Sequence, residues 1–198
     1  MTHSHKILLA LGLFFCIASI NSQNLLVEAE SFENPGGWVV DPQFVEQMGS
    51  PYLMAHGMGE KVKNATTKVT FDKAGQYHTW VRTMNWVPGD WEAPGKFRLK
   101  VANEVLEKTL GQRSGWGWEY VGLANIDKAK KVSLELIDLT GFNGRCDAIY
   151  FSTTKEEPPA APKKLAEWRK TVKPMCPKKP KPMTLSSLVA VLQAAPLP

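Results

Sequence analysis

The stretch Ile137-Asp-Leu-Thr-Gly-Phe-Asn-Gly-Arg-Cys-Asp-Ala-Ile-Tyr-Phe151 decides the reading of this chain. Its two ends read as strands and its middle as a turn. Just upstream, Val132, Leu134 and Leu136 alternate with Lys131, Ser133 and Glu135, the period of a half-buried strand. Gly141 and Asn143-Gly144 are turn chemistry, because Gly and Asn tolerate positive φ. The run from Cys146 to Phe151 is short and mostly apolar, with one carboxylate, Asp147, at its start. An acid buried in such a strand requires hydrogen-bond donors, a cation or a metal beside it.

Working outward, short strand patterns separated by turn signals fill the chain. Residues 24–30 read as the first strand, and residues 38–54 as irregular and aromatic, interrupted by Pro42, Gly49 and Pro51. Residues 67–71 and 76–82, joined by Lys73-Ala74-Gly75, read as a hairpin. Phe97, Leu99 and Val101 alternate with Arg98 and Lys100 before a turn at Ala102-Asn103-Glu104, and residues 118–123 and 132–138 supply further strands. No amphipathic helical pattern occurs between residues 24 and 153, so the expected fold is an all-β sandwich spanning residues 23–155. Residues 156–172 form an expected Pro-rich linker with a short helical start at Leu165-Ala-Glu-Trp-Arg169.

The N-terminus has the order of a secretion signal: Lys6 closes a short basic start, an apolar run follows to Ile20, and Asn21-Ser22-Gln23 offers a small residue before cleavage. Residues 1–22 are therefore expected to be a signal peptide and the mature protein to be secreted or periplasmic. The apolar run is short for a membrane span, although an uncleaved anchor is the alternative. The formal charge of +5 is concentrated in the tail, where Lys173, Lys178, Lys179 and Lys181 occur without acids, so it argues against a nucleic-acid partner. Of Cys16, Cys146 and Cys176, only Cys146 lies in the strand-rich part. This pattern offers no disulfide framework and suggests a core thiol.

The side chains suited to chemistry are few. His56 and His78 have no nucleophile beside them in any motif, G-x-S-x-G is absent, and no phosphate-cradling loop is in frame. Seven Trp is a high number, and Trp86, Trp91, Trp116 and Trp118 fall in or beside two loops. Aromatic faces stack on sugar rings, so these four are candidates for a carbohydrate platform; packing of the loops onto the sandwich or onto another domain is the alternative.

Three segments together carry a resemblance: Val27-Glu28-Ala29-Glu30-Ser31-Phe32, Gly75-Gln-Tyr-His-Thr-Trp-Val-Arg82, and Asp138-Leu-Thr-Gly-Phe-Asn-Gly-Arg-Cys-Asp147. They resemble the N-terminal domain of secreted bacterial FAD-dependent oxidoreductases, which is similar to the carbohydrate-binding-like domain of xanthan lyases and golvesin-type proteins. The resemblance implies a galactose-binding-like jelly-roll β-sandwich. It also implies FAD as cofactor of the full-length family, held by a following flavoprotein domain, and no catalysis by the residues present. Related sandwich modules place a structural calcium between first and last strands, which makes Glu28, Glu30 and Asp147 the expected metal set, with salt bridging to Arg145 or a nearby Lys as the alternative.

A flavin domain is not expected in this frame. Leu188-Val-Ala-Val191 admits the codons TTG-GTG-GCG-GTA, whose reading from each third base contains Gly-Gly-Gly. The segment from Met183 then admits a strand followed by G-x-G-x-x-G, the dinucleotide-binding fingerprint. Residues 173–198 are accordingly expected to be a disordered, out-of-frame tail, the result of a frameshift that truncated the enzyme. The expected role is a non-catalytic accessory module with a polysaccharide or the missing flavoprotein domain as partner; a free-standing carbohydrate-binding module and a ligand-free interaction domain are the alternatives.

Overall fold

The computed structural model describes residues 24–87, 92–128 and 130–172. The expected signal peptide, the tail from residue 173, Cys16, Cys176 and Trp91 lie outside them. In chain order the elements are β1 (Leu25–Glu28), a 3₁₀ turn (Ala29–Ser31), β2 (Trp38–Asp41), α1 (Val45–Met48), β3 (Tyr52–His56), β4 (Ala65–Phe71) and β5 (Gly75–Met84). They continue as β6 (Phe97–Val101), β7 (Glu104–Val105), β8 (Gly117–Ile126), β9 (Lys130–Asp138), β10 (Phe142–Ser152) and α2 (Pro162–Thr171).

Among the described residues the strands form two antiparallel sheets. One has the order β2-β3-β10-β5-β8, with β1 also pairing β10; the other runs β4-β9-β6-β7. β10 is the hub of the larger sheet. Its first half pairs β3, its second half pairs β1, and β5 lies along its opposite edge. The core lies between the sheets, where Leu25, Val27, Leu53, Phe71, Tyr77, Val81, Leu99, Leu134, Ile149 and Phe151 interlock. Cys146 is buried in this core, as expected of a small apolar thiol, and burial pushes its ionisation well above the usual thiol range.

The all-β sandwich agrees with the sequence reading, but three local expectations change. Residues 67–71 and 76–82 are not a hairpin, because β4 pairs β9 in one sheet while β5 pairs β10 and β8 in the other. Their connection therefore crosses between sheets, and each strand satisfies its backbone groups elsewhere. The first strand stops at Glu28, where the chain turns into a 3₁₀ turn. The aromatic stretch expected to be irregular contains β2, α1 and β3.

The turn at the heart of the opening sequence is also a crossover, from β9 of the smaller sheet to β10 of the larger. Buried Asp138 holds it. Its Oδ1 accepts from the backbone N–H groups of Thr140 (3.1 Å) and Gly141 (3.0 Å), and its Oδ2 from that of Val62 (2.9 Å). Gly141 sits at φ +70°, and a Cβ there would lie 2.2 Å from the Glu60 carbonyl oxygen, so the turn requires glycine.

A further feature is α2, longer than the short helical start expected at residues 165–169. Pro162 occupies the first turn, where its missing N–H costs nothing, and Leu165, Trp168, Arg169 and Val172 recur at helical spacing on one face. That face lies on the outside of the larger sheet, where Leu165 and Val172 join Leu26, Trp80, Trp118, Ala148 and Tyr150 in a second apolar cluster. The short helix expected within the linker is thus present, and it packs as a structural cover. Leu165 is 0% exposed. Truncating a fully buried leucine removes transfer energy and leaves a cavity, so Leu165→Ala should lower unfolding free energy by about 2–5 kcal/mol in urea denaturation. A change below about 0.5 kcal/mol, the size of an ordinary surface substitution, would contradict this role for α2.

Candidate functional site: the outer face of the larger sheet

Alternation along β10 is broken at Asp147. Cys146 opposes Thr83 of β5 and Ala148 opposes Arg82, so Asp147 is the extra residue of a β-bulge. After it, Ile149 and Phe151 return to the inter-sheet core while Ala148 and Tyr150 face outward. The bulge presents the Asp147 carboxylate to Arg82, which shares the outer face of β5 with Trp80.

Asp147 is 0% exposed and lies between two guanidinium groups. Arg82 Nη1 donates to Oδ2 at 2.8 Å, Arg169 Nη2 donates to the same oxygen at 2.8 Å, and the Ser50 hydroxyl donates to Oδ1 at 3.1 Å. Arg169 also donates to Ser50 Oγ at 2.9 Å and to the Met48 carbonyl at the end of α1. One arginine of α2 thereby joins β10 to α1 and to the start of β3. Charge-assisted bonds of this kind supply the compensation that a buried carboxylate needs.

Glu28 and Glu30 complete the acidic set, but not as a strand pair, since Glu30 lies in the 3₁₀ turn. Glu28 Oε2 is 3.2 Å from Arg169 Nη2 as an ion pair, yet neither Glu28 Oε2 nor Glu30 Oε2 has a hydrogen-bond partner. Burial is the main cause that pushes Glu28 up to about 7, with Arg169 opposing it. Burial likewise pushes Glu30 up to about 8, reinforced by the nearby Glu28.

This arrangement does not fit the expected calcium. Two guanidinium groups already contact the Asp147 carboxylate, placing positive charge where a cation would sit. Among the described residues, no three His, Cys, Asp or Glu side chains are grouped so that they could hold a metal ion. The partners of Asp147 are arginines, as the salt-bridge alternative required, but they are Arg82 and Arg169 rather than Arg145 or a lysine.

The four tryptophans divide by environment. Trp118 does not present a platform: it is 3% exposed, packs edge-on against Tyr150 and Trp168, and donates its indole N–H to the Pro159 carbonyl at 3.2 Å. It anchors α2. Trp116 leans over the outer face, edge-on to Tyr52 and Phe44 at 5.0 and 5.9 Å between centroids, with the Arg82 guanidinium 5.6 Å from its ring. Trp86 is half-buried and donates to the Phe142 carbonyl at 2.9 Å. Trp91 lies outside the described residues.

Phe142, absent from the sequence-derived set, is the aromatic that structure adds. It opens β10, is 46% exposed, and lines an open hollow of about 290 Å³ with Trp86, Val87, Glu92 and Pro94. Its place after Gly141 put it beside a turn, but nothing in the local sequence decides whether such a ring is covered. Nearby, His56 Nδ1 and Asn143 Oδ1 are 2.7 Å apart at the surface, whereas His78 Nδ1 lies 2.9 Å from the Tyr120 hydroxyl. Both histidines are thus held in local polar contacts, consistent with structural roles.

A second hollow, of about 280 Å³, lies over Arg82 and Met84 between the Phe44–Trp116 wall and Ala160 and Pro162 ahead of α2. Both hollows sit at the C-terminal end of β5.

No protein-family model matches the chain, and no curated protein sequence is similar to it. Solved structures are similar in fold. The GH26-CBM35 β-(1,4)-mannanase of Podospora anserina matches with a TM-score of 0.53 at 15% identity, over 69% of this chain and 29% of the mannanase. The match thus spans well under half of that enzyme. A family 35 carbohydrate-binding module from Clostridium thermocellum, in its native structure, matches with a TM-score of 0.52 at 13% identity, over 65% of this chain and 97% of the module. A further structure of a Clostridium thermocellum family 35 module gives 0.51 at 16% identity, over 65% and 98%. At such identities the likeness establishes the fold, a jelly-roll β-sandwich.

The buried glutamates generate a pH dependence. Their folded-state values, about 7 and about 8, lie above the ordinary 4.5. Between these limits the folded state binds more protons than the unfolded chain, so stability falls as pH rises. The contribution is complete below about pH 4.5 and lost through about pH 7 to 8. The double variant Glu28→Gln/Glu30→Gln should flatten the decline in melting temperature between about pH 5 and pH 8.5. An identical slope in parent and variant would contradict the burial of these two acids.

Proposed function

We propose that the chain is a non-catalytic, glycan-binding accessory module whose sugar surface is the Trp86–Phe142 hollow. The carrying observation is the exposed Phe142 ring beside Trp86, whose indole is anchored to the Phe142 backbone. An aromatic surface held in place before binding loses little freedom when a pyranose stacks on it. Polar His56, Asn143 and Glu92 rim this end of the sandwich and offer groups of both hydrogen-bonding kinds. The likeness to family 35 carbohydrate-binding modules supports the reading at the level of fold analogy.

A parent FAD-dependent oxidoreductase remains part of the proposal through the three sequence segments and the alternative frame of residues 173–198. The geometry supports attachment rather than chemistry: Trp118, the outer-face arginines and both histidines are engaged in packing or local bonds.

The test is retention of the mature protein on insoluble polysaccharides and on a glycan array. Trp86→Ala and Phe142→Ala should each abolish retention, with losses of about tenfold or more in affinity, while leaving the melting temperature within a few degrees. Trp118→Ala should instead lower the melting temperature, because it removes the anchor of α2. Retention that survives both Trp86→Ala and Phe142→Ala, or its absence on every glycan, would reject this site.

A further inference from the structure

A third hollow, of about 350 Å³, opens at the C-terminal end of β10, beside the segment that leads to α2. Tyr150 and Trp168 supply its rings, Pro158 and Pro159 its apolar side walls, and Glu156 and Glu157 its carboxylates. The two rings meet edge to face, 5.0 Å between centroids at 76°, so they form a corner rather than a flat wall. Trp118 packs edge-on to both and holds them in place. Tyr150 is nearly buried and Trp168 half-buried, which leaves the corner partly screened from water.

The charge that faces this hollow is negative. Glu156 and Glu157 are exposed, and among the described residues neither forms an ion pair. Burial raises the ionisation of the Tyr150 hydroxyl, Ser152 opposes that shift, and the Glu156 charge adds to it, so this carboxylate acts on the ring at the floor. The adjacent cation is committed elsewhere: the Lys155 ammonium stacks over the Tyr120 ring, 4.6 Å from its centroid. Lys163 and Lys164, exposed in the first turn of α2, do not line the hollow, and Lys170 pairs with Glu167.

We propose that this hollow binds a small organic ammonium ion, its alkyl groups in the Tyr150–Trp168 corner and its charge toward Glu156 and Glu157. Aromatic faces attract a cation through their quadrupole, and the attraction grows as water is excluded. A bare metal ion needs several oxygen ligands, and among the described residues no three acids are grouped to supply them. The volume lies near the lower bound for ligand sites, about 300 Å³, and suits a ligand of choline size. A quaternary ammonium and a primary amine share this chemistry. The site lies at the opposite end of β10 from the Trp86–Phe142 surface and does not depend on it.

The test uses the mature protein and follows the indole N–H signals by two-dimensional NMR, with the Trp168 signal assigned by its loss in Trp168→Phe. Tetramethylammonium and butylammonium chlorides are titrated at low ionic strength, matched throughout with sodium chloride, against the uncharged tert-butanol and butanol. Saturable movement of the Trp168 signal is expected with one or both ammonium ions and not with the alcohols. Tetramethylammonium alone would mark the ligand as a quaternary ammonium, butylammonium alone as a primary amine. The double variant Glu156→Gln/Glu157→Gln changes two exposed side chains at nearly constant shape. It should weaken the affinity by about tenfold while the melting temperature stays within a few degrees. Equal movement with the alcohols, silence with both ammonium ions, or an unchanged affinity in the double variant would overturn the proposal.

Discussion

The structure depends on one buried carboxylate. Asp147, placed outward by a bulge in the hub strand β10, receives Arg82 from β5, Arg169 from α2 and Ser50 from the loop before β3. Each contact is short, and no partner is a neighbour in sequence. Breaking such a buried set by removing one member typically costs about 3–5 kcal/mol, because the remaining charges stay buried and uncompensated. The clasp also explains why a sandwich face that would otherwise meet water is apolar: once Arg169 is pinned, α2 lays Leu165 and Trp168 against Trp118 and Tyr150.

The same clasp separates the roles of the tryptophans. Trp118 lies beneath α2 and is consumed by packing. Trp116, nearer the loops, covers the arginine row without closing it and leaves the hollow beside Phe44. Trp86 stands beyond the end of β5, where the crossover into β10 exposes Phe142. The result is two hollows of different character at one end of the sandwich: an apolar surface open to solvent, and a recess walled by Phe44 and Trp116 over Arg82 and Met84. Binding at loops supported by a rigid sandwich is a common division of labour, with precision coming from the strands below.

Much of the fold was legible in the sequence because strand alternation is a local property. Val132, Leu134 and Leu136 face the core as their period requires, and the Gly141 turn lies where its chemistry places it. Sheet membership was not legible. Residues 67–71 and 76–82 have the look of a hairpin, yet a short turn can also carry the chain from one sheet to the other, as it does here. Asp147 reads as an acid requiring partners, but Arg82 and Arg169 lie 65 and 22 residues away, and no local pattern distinguishes them from other basic residues. The helical spacing of Leu165, Trp168, Arg169 and Val172 was the available clue to α2 as a cover, obscured by the prolines before it. Among the tryptophans, composition alone could not separate a buried anchor from an exposed face, because that depends on what the rest of the chain lays over them.

The central claim is that α2 and the β-sandwich form one cooperative unit clasped at Asp147. Native-state hydrogen exchange measures it directly. Amides in the middle of α2 should exchange with the same opening free energy and denaturant dependence as those of β10, since the helix cannot leave without uncovering the Asp147–Arg82 pair. Exchange from α2 that is orders of magnitude faster than from β10, with little denaturant dependence, would show the helix to be a loosely attached appendage and contradict the account.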